Sequence, residues 1–231
     1  MKTIGILGGM SWESSALYYQ IINEATHARL GGQHNARSVM VTVDFDEIET
    51  LQHANRWDEA AAILHDACLT LERAGADMIL IATNTMHKLL PQIRVGITIP
   101  FLHIAQATAD AILDKGLKRI GLLGTRFTME EDFYKQILID NGIEVVIPNT
   151  DERNLIHKVI YDELCLGTVQ DASKHAYLNI ITRMEADNAI EGIILGCTEI
   201  GMLIAQEDLA LPVFDTTRIH AVAAVEVALD G

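Results

Sequence analysis

The feature that most constrains this chain is an internal duplication of long period. The run Met78-Ile79-Leu80-Ile81-Ala82-Thr83-Asn84-Thr85 returns 114 positions later as Gly192-Ile193-Ile194-Leu195-Gly196-Cys197-Thr198-Glu199. Thr83 falls on Cys197 and Asn84 on Thr198. At an offset of 116, Ile4-Gly5-Ile6-Leu7-Gly8-Gly9 falls on Ile120-Gly121-Leu122-Leu123-Gly124-Thr125, and at 112 Pro100-Phe101-Leu102-His103 falls on Pro212-Val213-Phe214-Asp215. Three matches in a 231-residue chain mark a duplicated unit, at a period too long for a solenoid. The repeated apolar runs lack polar alternation, as expected of strands buried on both faces of a parallel sheet.

Helical spacing fills the gaps between these runs. Ala60, Leu64, Ala67 and Leu71 recur on one face over 58–74, and Gly75 is a natural stop. A glycine turn at Gly8-Gly9 leads to a helix capped by Ser11 or Ser14 and running to Gly31-Gly32. A second strand over Val39–Val43 precedes an acidic loop, Asp44-Phe45-Asp46-Glu47. A third strand ends at Ala82, a shorter helix starts near Thr85, and Ile99–Leu102 enters an alanine-rich helix over 104–114. Strand and helix alternate throughout, which predicts an α/β fold. The expected architecture is two pseudo-symmetric lobes, each a parallel sheet flanked by helices, with the active site in the cleft between them. The first lobe spans 1–115 and the second 116–231, and the C-terminal helix over 216–229 is able to pack back on the first.

Composition narrows the class. Apolar residues make up 49% and charged residues 21%, a globular balance. The apolar runs are strand-sized, short of a membrane span, and Met1-Lys2-Thr3 enters a strand pattern without a signal-peptide core. Three cysteines at unrelated spacings form neither a disulfide framework nor a zinc ribbon, which points to a reducing, cytoplasmic setting. The net charge of −15 argues against nucleic-acid or anionic-membrane partners, so an anionic ligand must be held by local donors.

Ligands of open parallel sheets bind beyond the carboxyl ends of the strands. Met10-Ser11, Thr83-Asn84-Thr85, Thr125 and Cys197-Thr198 all lie there, with Thr83 and Cys197 expected on opposite sides of one cleft. A helix starting after Gly196 would favour thiolate over thiol at Cys197 by ~0.3–1 kcal/mol. Fuller activation would come from Glu199, a histidine or the substrate's ammonium. Cys68 and Cys165 read as small buried packing residues. His87, one helical turn past Thr83, is either packing or a support for the site. His103 reads as structural and the remaining histidines as mostly solvated helix positions. Gly5-x-x-Gly8-Gly9 is not G-x-G-x-x-G, there is no Walker lysine, and no cluster has metal-ligand spacing. Cofactor-free acid–base chemistry on a small acid is what remains, with no metal.

The segments Gly8-Gly9-Met10-Ser11-Trp12-Glu13-Ser14, Thr83-Asn84-Thr85-Met86-His87 and Gly196-Cys197-Thr198-Glu199 resemble the aspartate/glutamate racemase family, over essentially the whole chain. The resemblance implies racemisation of a small-molecule amino acid without a cofactor, in a homodimer. One thiolate removes the Cα proton and a thiol opposite returns one. Here the chain departs from the pattern: the first-lobe Cys-Asn-Thr is Thr83-Asn84-Thr85. Cys197 therefore inherits deprotonation of the L-substrate, and Thr83 delivers a proton directly or through water. A threonine alkoxide is inaccessible near neutral pH, so the L-to-D direction is the easier one to rationalise. By position, Met10, Gln52, Asn84, Thr85, Thr125 and Thr198 contact substrate. Aspartate and glutamate are the family's default substrates. Relatives specific for dicarboxylates place basic side chains near Gln52 and Gly167, and none stands there in this chain, so a neutral amino acid such as homoserine also fits. A single-cysteine decarboxylase of the same superfamily and a non-catalytic amino-acid-binding protein are the alternatives.

Overall fold

Uninterrupted Ile, Leu and Val runs form parallel strands in both halves of the chain, because only strands covered on both faces can dispense with polar residues. In the computed structural model, which describes residues 1–230, the first half contains β1 (Ile4–Gly8), α1 (Trp12–Leu30), β2 (Ser38–Thr42), α2 (Phe45–His53), α3 (Trp57–Arg73) and β3 (Met78–Ile81). A 3-10 turn at Thr85–Leu89 then leads through α4 (Leu90–Ile93) to β4 (Phe101–Leu102) and α5 (Ile104–Asp114). The second half contains β5 (Arg119–Gly124), α6 (Arg126–Glu130), α7 (Asp132–Asp140), β6 (Glu144–Val146), α8 (Thr150–Asp162), α9 (Asp171–Asn188), β7 (Gly192–Gly196), β8 (Val213–Asp215) and α10 (Thr216–Leu229). The sheets run β2-β1-β3-β4 and β6-β5-β7-β8, and every pairing is parallel. The same order in both sheets is the duplication expressed in three dimensions. Among the described residues, no helix is long and apolar enough to cross a membrane.

Contacts divide the chain into Met1–Ile104 with the residues from His220 onward, and Ala105–Ile219. In the first unit, one face of the sheet is sealed by α1 and α10: Ile4, Ile6, Met78 and Leu80 pack with Tyr18, Ile22, Ala221, Ala224, Val225 and Ala228. The other face meets α2 and α3 through Leu7, Ile79, Ile81, Ile48, Leu64, Cys68 and Leu71. Full burial of side chains of this size contributes roughly 1.5–3 kcal/mol each. The last helix in sequence thus covers the first sheet, and Lys2 N–H donates to the Ala228 carbonyl at 2.8 Å.

The converse holds for α5. Its Thr108 accepts from the Tyr134 hydroxyl at 3.4 Å, and Gln106 and Asn141 exchange amide hydrogen bonds at 3.3 and 3.4 Å. Contacts therefore place α5 beyond Ile104 with the second unit, whereas the start of the second repeat suggested 115/116 as the division. An apolar helix groups with the elements it packs on, not with the repeat that encodes it.

The acidic segment after β2 is a second difference. It is no loop: Asp44 caps α2 by accepting from Asp46 N–H at 3.2 Å, and Asp46 and Glu47 occupy the first helical turn, where negative charge is favoured.

The glycine turn is dictated by space. Gly9 has φ +90°, and a Cβ there would lie 2.2 Å from the Val43 carbonyl oxygen. Gly9→Ala is expected to destabilise the fold by about 2–4 kcal/mol through combined left-handed strain and backbone overlap, measured as a lowered urea midpoint at unchanged m-value.

Candidate active site

In the first unit the candidate residues gather at the carboxyl edge of adjacent strands. β1 pairs with β3 in the register Leu7–Ile81, which sets Met10 and Thr83-Asn84-Thr85 beyond one edge of the sheet. Serines bind this edge together. Ser11 caps α1 by accepting from Ser14 N–H at 3.2 Å, Ser15 Oγ receives Gly9 N–H at 2.8 Å, and Ser14 Oγ donates to the Ala82 carbonyl at 3.4 Å. Ala82 immediately precedes Thr83, so the start of α1 is tied directly to the Thr83-Asn84-Thr85 segment. Thr83 is half-buried, while Met10, Asn84, Thr85 and His87 are buried. Gln52 is buried as well, in α2 after β2.

His87 is hydrogen-bonded to the Thr83-Asn84 backbone. Its Nδ1 lies 2.8 Å from the Thr83 carbonyl oxygen, and its backbone N–H donates to the Asn84 carbonyl at 3.1 Å. Burial, and then the neighbouring rings of His103 and His220, hold it well below the ordinary imidazole range, so it is neutral. His220 is an exception among helix histidines expected to be mostly solvated. It is fully buried, because α10 packs against the first unit, and burial lowers its pKa to about 4.

In the second unit, Gly124 and Gly196 are direct partners across β5 and β7, so Thr125 and Cys197 leave adjacent strand ends side by side. Thr125 caps α6 by accepting from Thr128 N–H at 3.3 Å. Cys197 Sγ donates to Glu199 Oε2 at 3.0 Å, and Thr198 Oγ1 donates to the same oxygen at 2.7 Å. All three side chains are buried.

This geometry corrects the expected thiolate. No helix starts directly after Gly196: β7 is followed by a short 3-10 turn at Ile200–Met202. Burial, and after it the charge of Glu199, raise Cys197 well above the ordinary thiol range, with a further contribution from Cys165. At neutral pH the sulfur is a thiol whose proton already points at a carboxylate.

Cys165 is another correction. It is half-buried, not a core residue, and it lies close enough to act electrostatically on both Cys197 and Tyr177. Cys68 is a packing residue as expected, with burial pushing its thiol up to about 12. Tyr177 carries no signal in the sequence; in α9 it is buried and close enough to Cys197 to feel its charge, its hydroxyl donating to the Ile156 carbonyl at 3.0 Å. Among the described residues, no group of three or more His, Cys, Asp or Glu side chains could hold a metal ion.

Comparison with known proteins gives a consistent result. Residues 7–224 match the family profile described as Asp/Glu/Hydantoin racemase. The chain is 22% identical over 240 residues to a broad specificity amino-acid racemase of Bacillus subtilis, covering 98% of both chains. Among solved structures, it is similar to a Yersinia pestis protein described as a candidate Asp/Glu racemase, at 48% identity and a TM-score of 0.91, covering 99% of this chain and 100% of that one. It is also similar to an aspartate racemase homologue from Pyrococcus horikoshii OT3, at 34% identity and a TM-score of 0.86, with 99% and 100% covered.

Two measurements check the electrostatics. Glu199→Gln removes the negative charge nearest the sulfur. In a Cys165→Ser background it should lower the midpoint of Cys197 ionisation, followed by thiolate absorbance, by about one pH unit or more. For the buried imidazoles, burial sets His103 and His220 at about 4 in the fold. The unfolded chain takes up those protons below about 6.5. Stability is therefore independent of these rings above about 6.5 and falls as pH drops from there towards 4, by on the order of 3 kcal/mol per ring. Urea denaturation across that window should show the loss, and His220→Gln should flatten part of it.

Proposed function

The chain belongs to the Asp/Glu/Hydantoin racemase family, and on that footing we propose that it is a cofactor-independent racemase acting on L-aspartate, L-glutamate or related L-amino acids, with Cys197 as the base and the Thr83 side as proton donor. The observation that carries the reading is the hydrogen bond from Cys197 Sγ to Glu199 Oε2 at 3.0 Å, beyond the carboxyl end of β7. Ionising Cys197 beside an ionised Glu199 would bury a second negative charge. Passing the proton from Sγ to Glu199 creates no second charge, so the pair reaches the thiolate form at constant net charge.

The thiolate then takes the Cα proton of the L-substrate, and the electron pair of that C–H bond is delocalised into the α-carboxylate. A proton supplied at the Thr83 hydroxyl, directly or through water, attaches to the opposite face and gives the D-enantiomer. Cys197 ends with the substrate's proton. The proton lent to Glu199 goes to solvent and balances the one drawn in on the Thr83 side. The Asn84 amide and the hydroxyls of Thr85 and Thr125 supply neutral donors for the α-carboxylate, as a chain of net charge −15 requires, while Thr198, whose hydroxyl proton is given to Glu199, contacts the substrate without donating. Met10 and Gln52 complete the contacts to substrate. The resemblance further implies a homodimer, which light scattering on the eluted protein would check.

A lone thiol also suits a decarboxylase, which needs a proton donor on one face only. Carbon dioxide release from malonate-type acids, without Cα exchange from any amino acid, would favour that reading.

In deuterium oxide, Cα exchange from L-aspartate or L-glutamate should exceed exchange from the D-enantiomers. Cys197→Ser should lower it by about 10²–10⁴-fold, the range for a lost general base. Thr83→Cys supplies the more acidic thiol on the other face and should raise exchange from the D-enantiomer. No exchange from any L-amino acid with the unaltered protein would sink the proposal.

A further inference from the structure

The chain passes between its two units at Ile104/Ala105 and at Ile219/His220. Three histidines stand at those crossings. His103 precedes the first and His220 follows the second. His87 Nε2 lies 3.4 Å from Ile104 N. The His87 ring centroid is 4.5 Å from that of His103 and 6.0 Å from that of His220.

Hydrogen bonding fixes the tautomers of two of these rings. A backbone N–H can only donate, so His87 Nε2 accepts and Nδ1 carries the proton, which it donates to the Thr83 carbonyl at 2.8 Å. A carbonyl can only accept, so His220 Nε2–H donates to Leu102 at 2.9 Å, and its Nδ1 accepts from the Tyr18 hydroxyl at 2.9 Å.

The duplication shows where this arrangement is absent. His87 falls on Gly201 and His103 on Asp215. In the second unit no side chain stands at 201: a Cβ there would lie 3.2 Å from Asp215 Oδ2, and Asp215 Oδ1 accepts from Thr217 N–H at 2.9 Å and Arg218 N–H at 3.3 Å. The imidazole latch occurs in one half alone, the half whose reactive position carries a hydroxyl in place of a thiol. A hydroxyl is the weaker acid and the shorter side chain, so proton delivery from it tolerates less displacement.

We propose that His87 is a positioning residue for Thr83, its Nδ1–H fixing the Thr83 carbonyl and thereby the aim of the Thr83 hydroxyl, with the Tyr18–His220 pair bracing the ring. This rests on the racemase reading and adds what sets the geometry of its proton-delivering side.

The test compares two rates in deuterium oxide, starting from an L-amino acid that the unaltered protein exchanges: formation of D-product, and deuterium uptake into recovered L-substrate. His87→Asn places an amide N–H near the position of Nδ1 and should keep the ratio of inversion to uptake within about twofold of the unaltered protein. His87→Gln places its amide near Nε2 and should lower that ratio about tenfold or more, with uptake at Cys197 retained. Tyr18→Phe should lower it less. Equal ratios in the Asn and Gln variants, or a parallel fall in both rates, would overturn the assignment.

A second readout does not depend on turnover. In a nitrogen-15 histidine spectrum at about pH 7, a protonated Nδ1 and bare Nε2 at His87 support the latch, and the reverse tautomer overturns it. Failure of the racemase reading, seen as no exchange from any L-amino acid, is thus separable from failure of the latch.

Discussion

Parallel pairing in the order 2-1-3-4 is the constraint on which the rest of this molecule depends. It makes β1 and β3 neighbours in one sheet and β5 and β7 neighbours in the other, all pointing the same way. Residues some seventy positions apart, Met10 with Thr83 and Thr125 with Cys197, are thereby delivered to a common edge. An antiparallel arrangement of the same runs would send alternate strand ends to opposite sides and scatter them. The burial of both sheet faces holds this order, and in the first unit it requires a helix from the far end of the chain.

The two clusters at the strand ends, one in each unit, are built on one plan and held by different chemistry. In the second unit a buried carboxylate accepts from both the thiol and the neighbouring hydroxyl, so Cys197, Thr198 and Glu199 form one hydrogen-bonded unit. In the first unit a neutral imidazole clamps the backbone at Thr83 and Asn84, and the serines at the start of α1 hold the residue before them. The duplication has thus diverged both in its side chains and in the groups that hold them.

Much of this was legible in the chain. The repeat at 112 to 116 residues, the unbroken apolar runs and the glycine turn specify two parallel α/β halves, and the motif residues fall at the strand ends where such folds bind ligands. Local pattern misled where tertiary context decides. Asp44–Glu47 looked like a loop because acidic residues also cluster in the first turn of a helix. Cys197 looked helix-activated because Gly196 ends a strand as a helix start requires, yet a three-residue turn follows. His220 looked solvated because its burial depends on which sheet α10 covers.

The sequence by itself determined the fold class, the duplication and which side chains stand at the strand ends, since periodicity and composition encode which faces must be buried and which residues end each strand. The tertiary structure alone decided the protonation state of the sulfur, the grouping of α5 and α10 with units other than their own repeats, and the pairing of His87 with Thr83. Those properties depend on desolvation and on contacts between distant segments, and neither is written in the local pattern of a chain.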